Sequence, residues 1–440
     1  MKSKKFVLAG LALLAITGLL ALAGCKNDSV PETPAAKLVS ISVIPPTRTV
    51  YSVGQSFDPT GMKVTATYEG DKKQEVTGWT TNFGTVVAEK GLGKEVTVSY
   101  TEGETIKTTT FTITVFPAEV EVLTDYESPN HTGSEWTYVA FGEWPQTEAV
   151  DFNPTTTPKS HGIFVDNCYV EGSDKYVEKD GQYYKVEPIV WRVLTTSYKA
   201  PEGGTVGEIL LLAEKILTGG IPYYDVWDTN RTVDEATIYP NNYEHSAVRA
   251  WLNGLVYPYK GPDDNVQTYK GDYLGKGFMQ TAFTADAQSL IADTTVDNSA
   301  ASTTDAGSNL PPATDYARAN TKDKVFLLSE EEATTSEYGF AAYNAAGQGN
   351  TRIRVTTDYA KATRAYQGDS SAGRWWLRSP DYDSEYHARD IGSDGGADNA
   401  PIVDLARGGV VPALSRGCLG SVFRLHKRQP FFCFLIFIFV

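Results

Sequence analysis

Cysteine is nearly absent. Four are found in 440 residues (Cys25, Cys168, Cys418 and Cys433), with no C-x-x-C pair, so a disulfide scaffold is excluded and no zinc or redox spacing exists. Histidine is equally sparse: His131, His161, His245, His387 and His426 stand far apart, and no acid, base and nucleophile set can be nominated from them. Basic side chains are outnumbered, 39 Lys and Arg against 54 Asp and Glu, giving a formal charge of -15. That balance disfavours nucleic acid, because neutralising phosphates takes clustered cations. There is no Gly-rich phosphate loop, no Gly-x-Ser-x-Gly around Ser393 and no His-Glu-x-x-His. What is present is 41% hydrophobic and 21% charged residues, the profile of a globular chain of two or three domains. Aromatics reach 12%, with 25 Tyr and 8 Trp, which suits β-rich surfaces better than a helical bundle.

The first residues read as an address. Lys2, Lys4 and Lys5 form a basic start, residues 6–22 an uncharged apolar stretch, and Leu22-Ala23-Gly24-Cys25 a run of small residues at a cleavage point. The tetrapeptide resembles a bacterial lipobox. The resemblance implies removal of residues 1–24, lipidation of Cys25 and a protein held in the cell envelope by its lipid, at the outer-membrane surface. The alternative is an uncleaved anchor, at the short edge of a span. Residues 25–37, with Pro31 and Pro34, read as a tether.

Over residues 38–116 the pattern has period two. Val64, Ala66 and Tyr68 alternate with polar residues, as do Val96, Val98 and Tyr100, and Phe111, Ile113 and Val115. These predict half-buried strands of an all-β sandwich. Leu38-Val39-Ser40-Ile41-Ser42-Val43, Tyr51-Ser52-Val53-Gly54-Gln55-Ser56-Phe57-Asp58 and Gly61-Met62-Lys63-Val64 resemble the bacterial Ig-like repeats of surface proteins. The resemblance implies an Ig-like sandwich without the inter-sheet disulfide, used as a spacer. Residues 117–135, acidic and weakly patterned, are expected to be a linker.

Beyond the linker seven of the eight tryptophans appear, which argues for a second domain with a larger core, residues 136–416. Strands are expected at Tyr138-Val139-Ala140-Phe141, around Ile189 to Leu194, at Ile209-Leu210-Leu211-Leu212 and at Val325-Phe326-Leu327-Leu328. A helix is expected from Ser246, burying Val248, Trp251, Leu252 and Leu255, and another after Ser329, with Glu332 completing a capping box. Residues 293–321, rich in Asp, Thr, Ala and Asn, read as a surface insertion.

Six separated motifs stand in order: Phe141-Gly142-Glu143-Trp144-Pro145-Gln146, Pro188-Ile189-Val190-Trp191-Arg192-Val193-Leu194, Arg249-Ala250-Trp251-Leu252-Asn253, Val325-Phe326-Leu327-Leu328-Ser329, Trp375-Trp376-Leu377-Arg378-Ser379-Pro380 and Gly409-Val410-Val411-Pro412-Ala413-Leu414. Together they resemble a bacterial domain family of unknown function common in surface lipoproteins. The last part is also similar to the α+β C-type lectin-like fold of formylglycine-generating-enzyme type, as in treponemal variable proteins whose ligand face is rewritten by a diversity-generating retroelement. Read without that resemblance, Trp375, Trp376 and Leu377 are core, Arg378 an internal ion pair or backbone clamp, and Ser379-Pro380 the end of a strand.

Between the last two motifs lies a polar stretch, residues 381–408, rich in Tyr, Ser, Asp, Gly and Asn, the residues of an adaptable binding loop and equally of an ordinary solvated one. Retroelement mutagenesis does not generate Lys, Gln, Met, Trp or Glu, and only Glu385 of the stretch belongs to that set. The expected ligand contacts are Tyr382, Asp383, Ser384, Tyr386, His387, Asp390, Ser393, Asp394, Asp398 and Asn399. Asp390, Asp394 and Asp398 resemble a calcium loop only superficially, since Gly392 takes the third ligand position and no Glu the twelfth. Formylglycine-generating enzymes use a cysteine-based copper site, and nothing in the sequence brings Cys168 and Cys418 together. No catalytic residue, metal or cofactor is therefore expected.

Residues 417–440 end in Phe431-Phe432-Cys433-Phe434-Leu435-Ile436-Phe437-Ile438-Phe439-Val440, ten apolar residues where a span needs about 20. The run suits either a membrane-interface contact or an out-of-frame extension. The expectation for the whole is a lipid-anchored adhesin or receptor whose partner is an extracellular protein or glycan. An envelope enzyme on the same scaffold and a surface antigen without specific ligand are the alternatives.

Overall fold

The period-two stretches of the first domain become two sheets facing one another. The computed structural model describes residues 36–84, 87, 91–116, 119–130, 136–198, 208–224, 230–233, 235–256, 273–304, 311–316, 319–343, 351–397, 401, 403 and 407–416. Cys25, the residues expected as leader and tail, and Asp398 and Asn399 lie outside these. One sheet joins Leu38–Ile44, Lys63–Tyr68 and Lys72–Val76; the other runs Val50–Ser52, Thr105–Phe116, Gly91–Glu102, Thr80–Thr81. Val50–Ser52 is parallel to its neighbour. Between the sheets Tyr51, Val64, Ala66, Val96 and Val98 are wholly buried and Ile113 and Val115 nearly so. Alternation works because successive side chains leave a strand on opposite faces, and each buried Val or Ile contributes roughly 1.5–3 kcal/mol.

The stretch expected as a linker carries structure. Glu121–Leu123 form a strand on Tyr138–Glu148, and Val120 and Val122 are buried in the core of the second region together with Phe116. Ser52 ties the two regions: its Oγ donates to Val120 O and accepts from Val122 N at 2.9 Å, while Gln55 Nε2 donates to Val122 O at 3.0 Å. Period-two reasoning passed over this strand because it has three residues, one of them buried.

The second region is built on a nine-stranded sheet. Lys159–His161, Phe164–Glu171, Asp174–Lys179, Gln182–Tyr198, Glu208–Ala213, Ala413–Arg416 and Val325–Phe326 lie side by side in that order, and Tyr138–Glu148 also pairs with Gln182–Tyr198. The strands expected around Tyr138, Ile189 and Ile209 fall on this sheet, and of the run expected from Val325 to Leu328 its first two residues do. Glu208–Ala213 is buried at every position, as a continuous apolar run with neighbours on both sides requires.

Helices are short. Ala247–Asn253, the longest among the described residues, starts at Ser246, whose hydroxyl accepts from Arg249 N, and stops at Gly254 in the left-handed conformation, φ 67°. Val248, Trp251 and Leu252 are buried as the spacing predicts. Glu330–Thr334 carries the expected Ser329 and Glu332 capping box. With 44% of the described residues in strands and 11% in helices, the fold is β-rich. Residues 293–321, expected as a surface insertion, are bracketed by two paired strands. Thr294–Val296 and Thr321–Asp323 pair as a hairpin, with Thr294, Val296 and Asp323 buried, because Thr side chains on a strand pack as well as they solvate.

Candidate functional site

Trp375–Pro380 is buried throughout and pairs with Ala388–Ile391, so the segment between the last two motifs is partly a hairpin strand and not one free loop. Trp375, Trp376 and Leu377 are wholly buried. Arg378 is both of the things the sequence suggested: it pairs with Glu332 and donates through Nη1 to Leu327 O at 3.0 Å. Ser379 does more than end the strand, since its Oγ accepts from Glu330 N at 2.8 Å and seats the capped helix.

The expected contact residues divide. Asp383 is exposed, and Tyr382, Ser384, Tyr386 and His387 are half-buried. Their backbone is pinned by Asn241, whose Nδ2 donates to Ser384 O at 3.0 Å and His387 O at 3.2 Å, and whose N donates to Glu385 O. Tyr382 has the Arg389 guanidinium 5.8 Å from its ring centre, and Arg389 sits between Asp381 at 3.2 Å and Glu330 at 3.5 Å. Burial pushes the Asp381 carboxyl up from its ordinary value, against the pull of Arg389. Ser393 packs against Gly368, and Asp394 caps its own turn by accepting from Gly396 N at 3.0 Å. Buried Arg352 holds that turn through Gly395 O at 2.7 Å.

Asp390 departs from expectation. It is 1% exposed and makes a two-pronged pair with Arg374, Nε to Oδ2 at 2.8 Å and Nη2 to Oδ1 at 3.2 Å. The register explains the pairing. Trp376 faces Asp390 across the hairpin, so Arg374, two residues earlier on the same face, is its diagonal neighbour. Asp390 therefore orients the Arg374 guanidinium from within the hairpin.

That arginine stands at a cleft of about 250 Å³ lined by Tyr366, Arg374, Trp376, Asp390, Pro401, Arg407 and Gly408. Tyr366 is 41% exposed, and its N donates to Arg407 O at 2.8 Å, which fixes these two lining residues relative to each other. Trp376 is wedged against Tyr223, ring centres 5.3 Å apart, and its buried Nε1 has no partner among the described residues. That nitrogen lies where a Cβ on Gly408 would fall, so glycine is required there for the backbone to approach the indole. Two guanidiniums and one carboxylate leave the described lining residues with one net positive charge, in a chain whose formal charge is -15. The sequence reading missed Tyr366, Arg374 and Arg407. The available signal was two arginines flanking the last two motifs, one just before Trp375 and one just before Gly408-Gly409.

A second cleft, about 190 Å³, is lined by Gln146, Thr147, Lys215, Thr357 and Asp358 among others. Most of its polar groups are already engaged: Gln146 with Pro188 O, Thr147 with Glu187, and Asp358 with Lys361. Among the described residues no group of three His, Cys, Asp or Glu is placed to hold a metal ion. Cys168 is buried in the strand Phe164–Glu171, its thiol pushed up by burial, and Cys418 lies outside the described residues. No helix among the described residues is long and apolar enough to cross a membrane.

Residues 206–415 match a family described as a domain of unknown function, DUF6273. Four of the six motifs lie within the match; those beginning at Phe141 and Pro188 precede it. The matched segment contributes Glu208–Ala213, Val325–Phe326 and Ala413–Arg416 to the nine-stranded sheet, and the remaining six strands come from residues before it. No curated protein matches the chain.

Proposed function

We propose that the chain is a lipid-anchored surface protein in which an Ig-like spacer presents a lectin-like head, and that the head binds an extracellular ligand at the cleft beside Trp376. The observation that carries the reading is the Arg374 and Asp390 pair at the rim of that cleft. A buried carboxylate that fixes a partly exposed guanidinium serves recognition, because the ordering entropy of the arginine is met on folding and not on binding. The half-buried aromatic and polar side chains of residues 382–387 form the turn of the same hairpin, and none of them lines the cleft. Lipid at Cys25 would hold this head at the membrane.

Two measurements test the proposal. Cells producing the full chain should incorporate a clickable palmitate analogue into it, and Cys25→Ala should abolish the label; label retained in the variant would place the anchor elsewhere. The same cells should adhere to at least one member of an array of immobilised matrix proteins and glycans, with adhesion lost in the double variant Arg374→Ala, Arg407→Ala. Adhesion equal in both would remove the cleft from the reading.

A further inference from the structure

We infer that the cleft at Trp376 takes a monoanion: a single carboxylate carried on one six-membered ring. The inference rests on the reading of that cleft as the ligand site. Asp390 occupies one edge of the Arg374 guanidinium, Nε and one N–H of Nη2. The opposite edge, Nη1 with the outer N–H of Nη2, has no partner among the described residues, and the side chain is 33% exposed. A guanidinium edge presents two parallel N–H groups at the spacing of carboxylate oxygens, so the free edge is a ready two-pronged receptor. Arg407, exposed and without an ion pair among the described residues, supplies a second cation on the lining.

Charge selects among anions. The described lining residues carry two positive groups and one negative, so one ligand charge neutralises them, whereas a phosphate dianion would leave an excess negative charge beside the buried Asp390. Size and walls select the rest. At about 250 Å³ the cleft lies just below the range of drug-sized pockets, which leaves room for one ring. Tyr366, Pro401 and Trp376 give the lining its apolar surface for that ring. Sugar acids and aromatic acids share this chemistry.

Titration calorimetry on the full-length lipoprotein in detergent, with glucuronate, benzoate, glucose and inorganic phosphate as probes, tests the inference. Glucuronate or benzoate should bind at least tenfold more tightly than glucose and phosphate, and whichever is tighter identifies the ring as sugar or aromatic. Arg374→Lys, which keeps the charge and removes the two-pronged edge, should weaken that binding at least tenfold, and Arg407→Gln should weaken it severalfold. Both sites are solvent-facing, and an unchanged near-UV circular dichroism spectrum will show that the fold is intact. Glucose or phosphate binding as tightly, still lost in Arg374→Lys, would overturn the ligand class and leave the cleft as the site. Ring-acid binding unaffected by both substitutions would overturn the site as well, and no binding of any probe would overturn the inference.

Discussion

Asn253 acts as a strand neighbour for Val325: its Oδ1 accepts from Val325 N at 3.1 Å and its Nδ2 donates to Val325 O at 2.7 Å. The same Oδ1 accepts from Lys324 N at 2.9 Å. One side chain at the end of the helix Ala247–Asn253 thus closes the buried edge of the nine-stranded sheet at Val325. Asn253→Ala would leave a dry donor and acceptor unpaired, and urea unfolding should show a loss of about 2–4 kcal/mol. A loss under about 0.5 kcal/mol would mean that water takes over the role.

Glu214 gives the fold a defined acid response. It is wholly buried and grips Arg192 through both oxygens, at 2.9 and 3.0 Å, with Ser128 and Asn130 also donating to Oε1. Burial alone would raise its pKa; Arg192, Arg354 and the hydrogen bonds prevail and hold it at about 2. Arg354 pays the reverse cost, drawn down to about 9 by burial and by Arg192. Because the folded pKa lies below the unfolded value of 4.5, the stabilisation is complete above that pH and is lost as pH falls towards 2. Glu214→Gln should cost about 3–5 kcal/mol at pH 7, and the gap from wild type should narrow between pH 4.5 and 2 in parallel denaturation series.

Gly408→Ala tests the lining of the cleft. An added Cβ would overlap Trp376 Nε1, and the wholly buried indole can give way only by disturbing its packing. A cost of about 1–3 kcal/mol and a changed near-UV signal from the displaced indole are expected. An unchanged spectrum would show that the backbone yields instead.

Ser52→Ala probes the join between the two regions. The hydroxyl is buried and serves Val120 O and Val122 N together, so its loss should destabilise the full chain by about 1–3 kcal/mol in thermal melts. Melting unchanged by the substitution would return residues 119–123 to the status of a linker.

The N-terminal strands, the helix from Ser246, the capping box at Ser329 and the burial of Trp375 to Leu377 were legible from sequence, because each follows from local periodicity or from a cap set within four residues. The strand Glu121–Leu123 and the hairpin formed by Thr294–Val296 and Thr321–Asp323 were not, since short polar segments become strands only when a distant partner supplies their hydrogen bonds. The site divides in the same way. Composition marked residues 381–408 as a polar stretch suited to a binding loop or a solvated one, but it could not separate exposed Asp383 from buried Asp390. That distinction depends on Arg374, 16 residues away and diagonal to Asp390 across the hairpin. Tyr366 and Arg407 reach the same cleft through one backbone hydrogen bond between residues 41 positions apart, a contact that no local pattern encodes. Residue chemistry and local spacing are written in the chain itself, whereas a cleft is a product of long-range register, which only the folded structure decides.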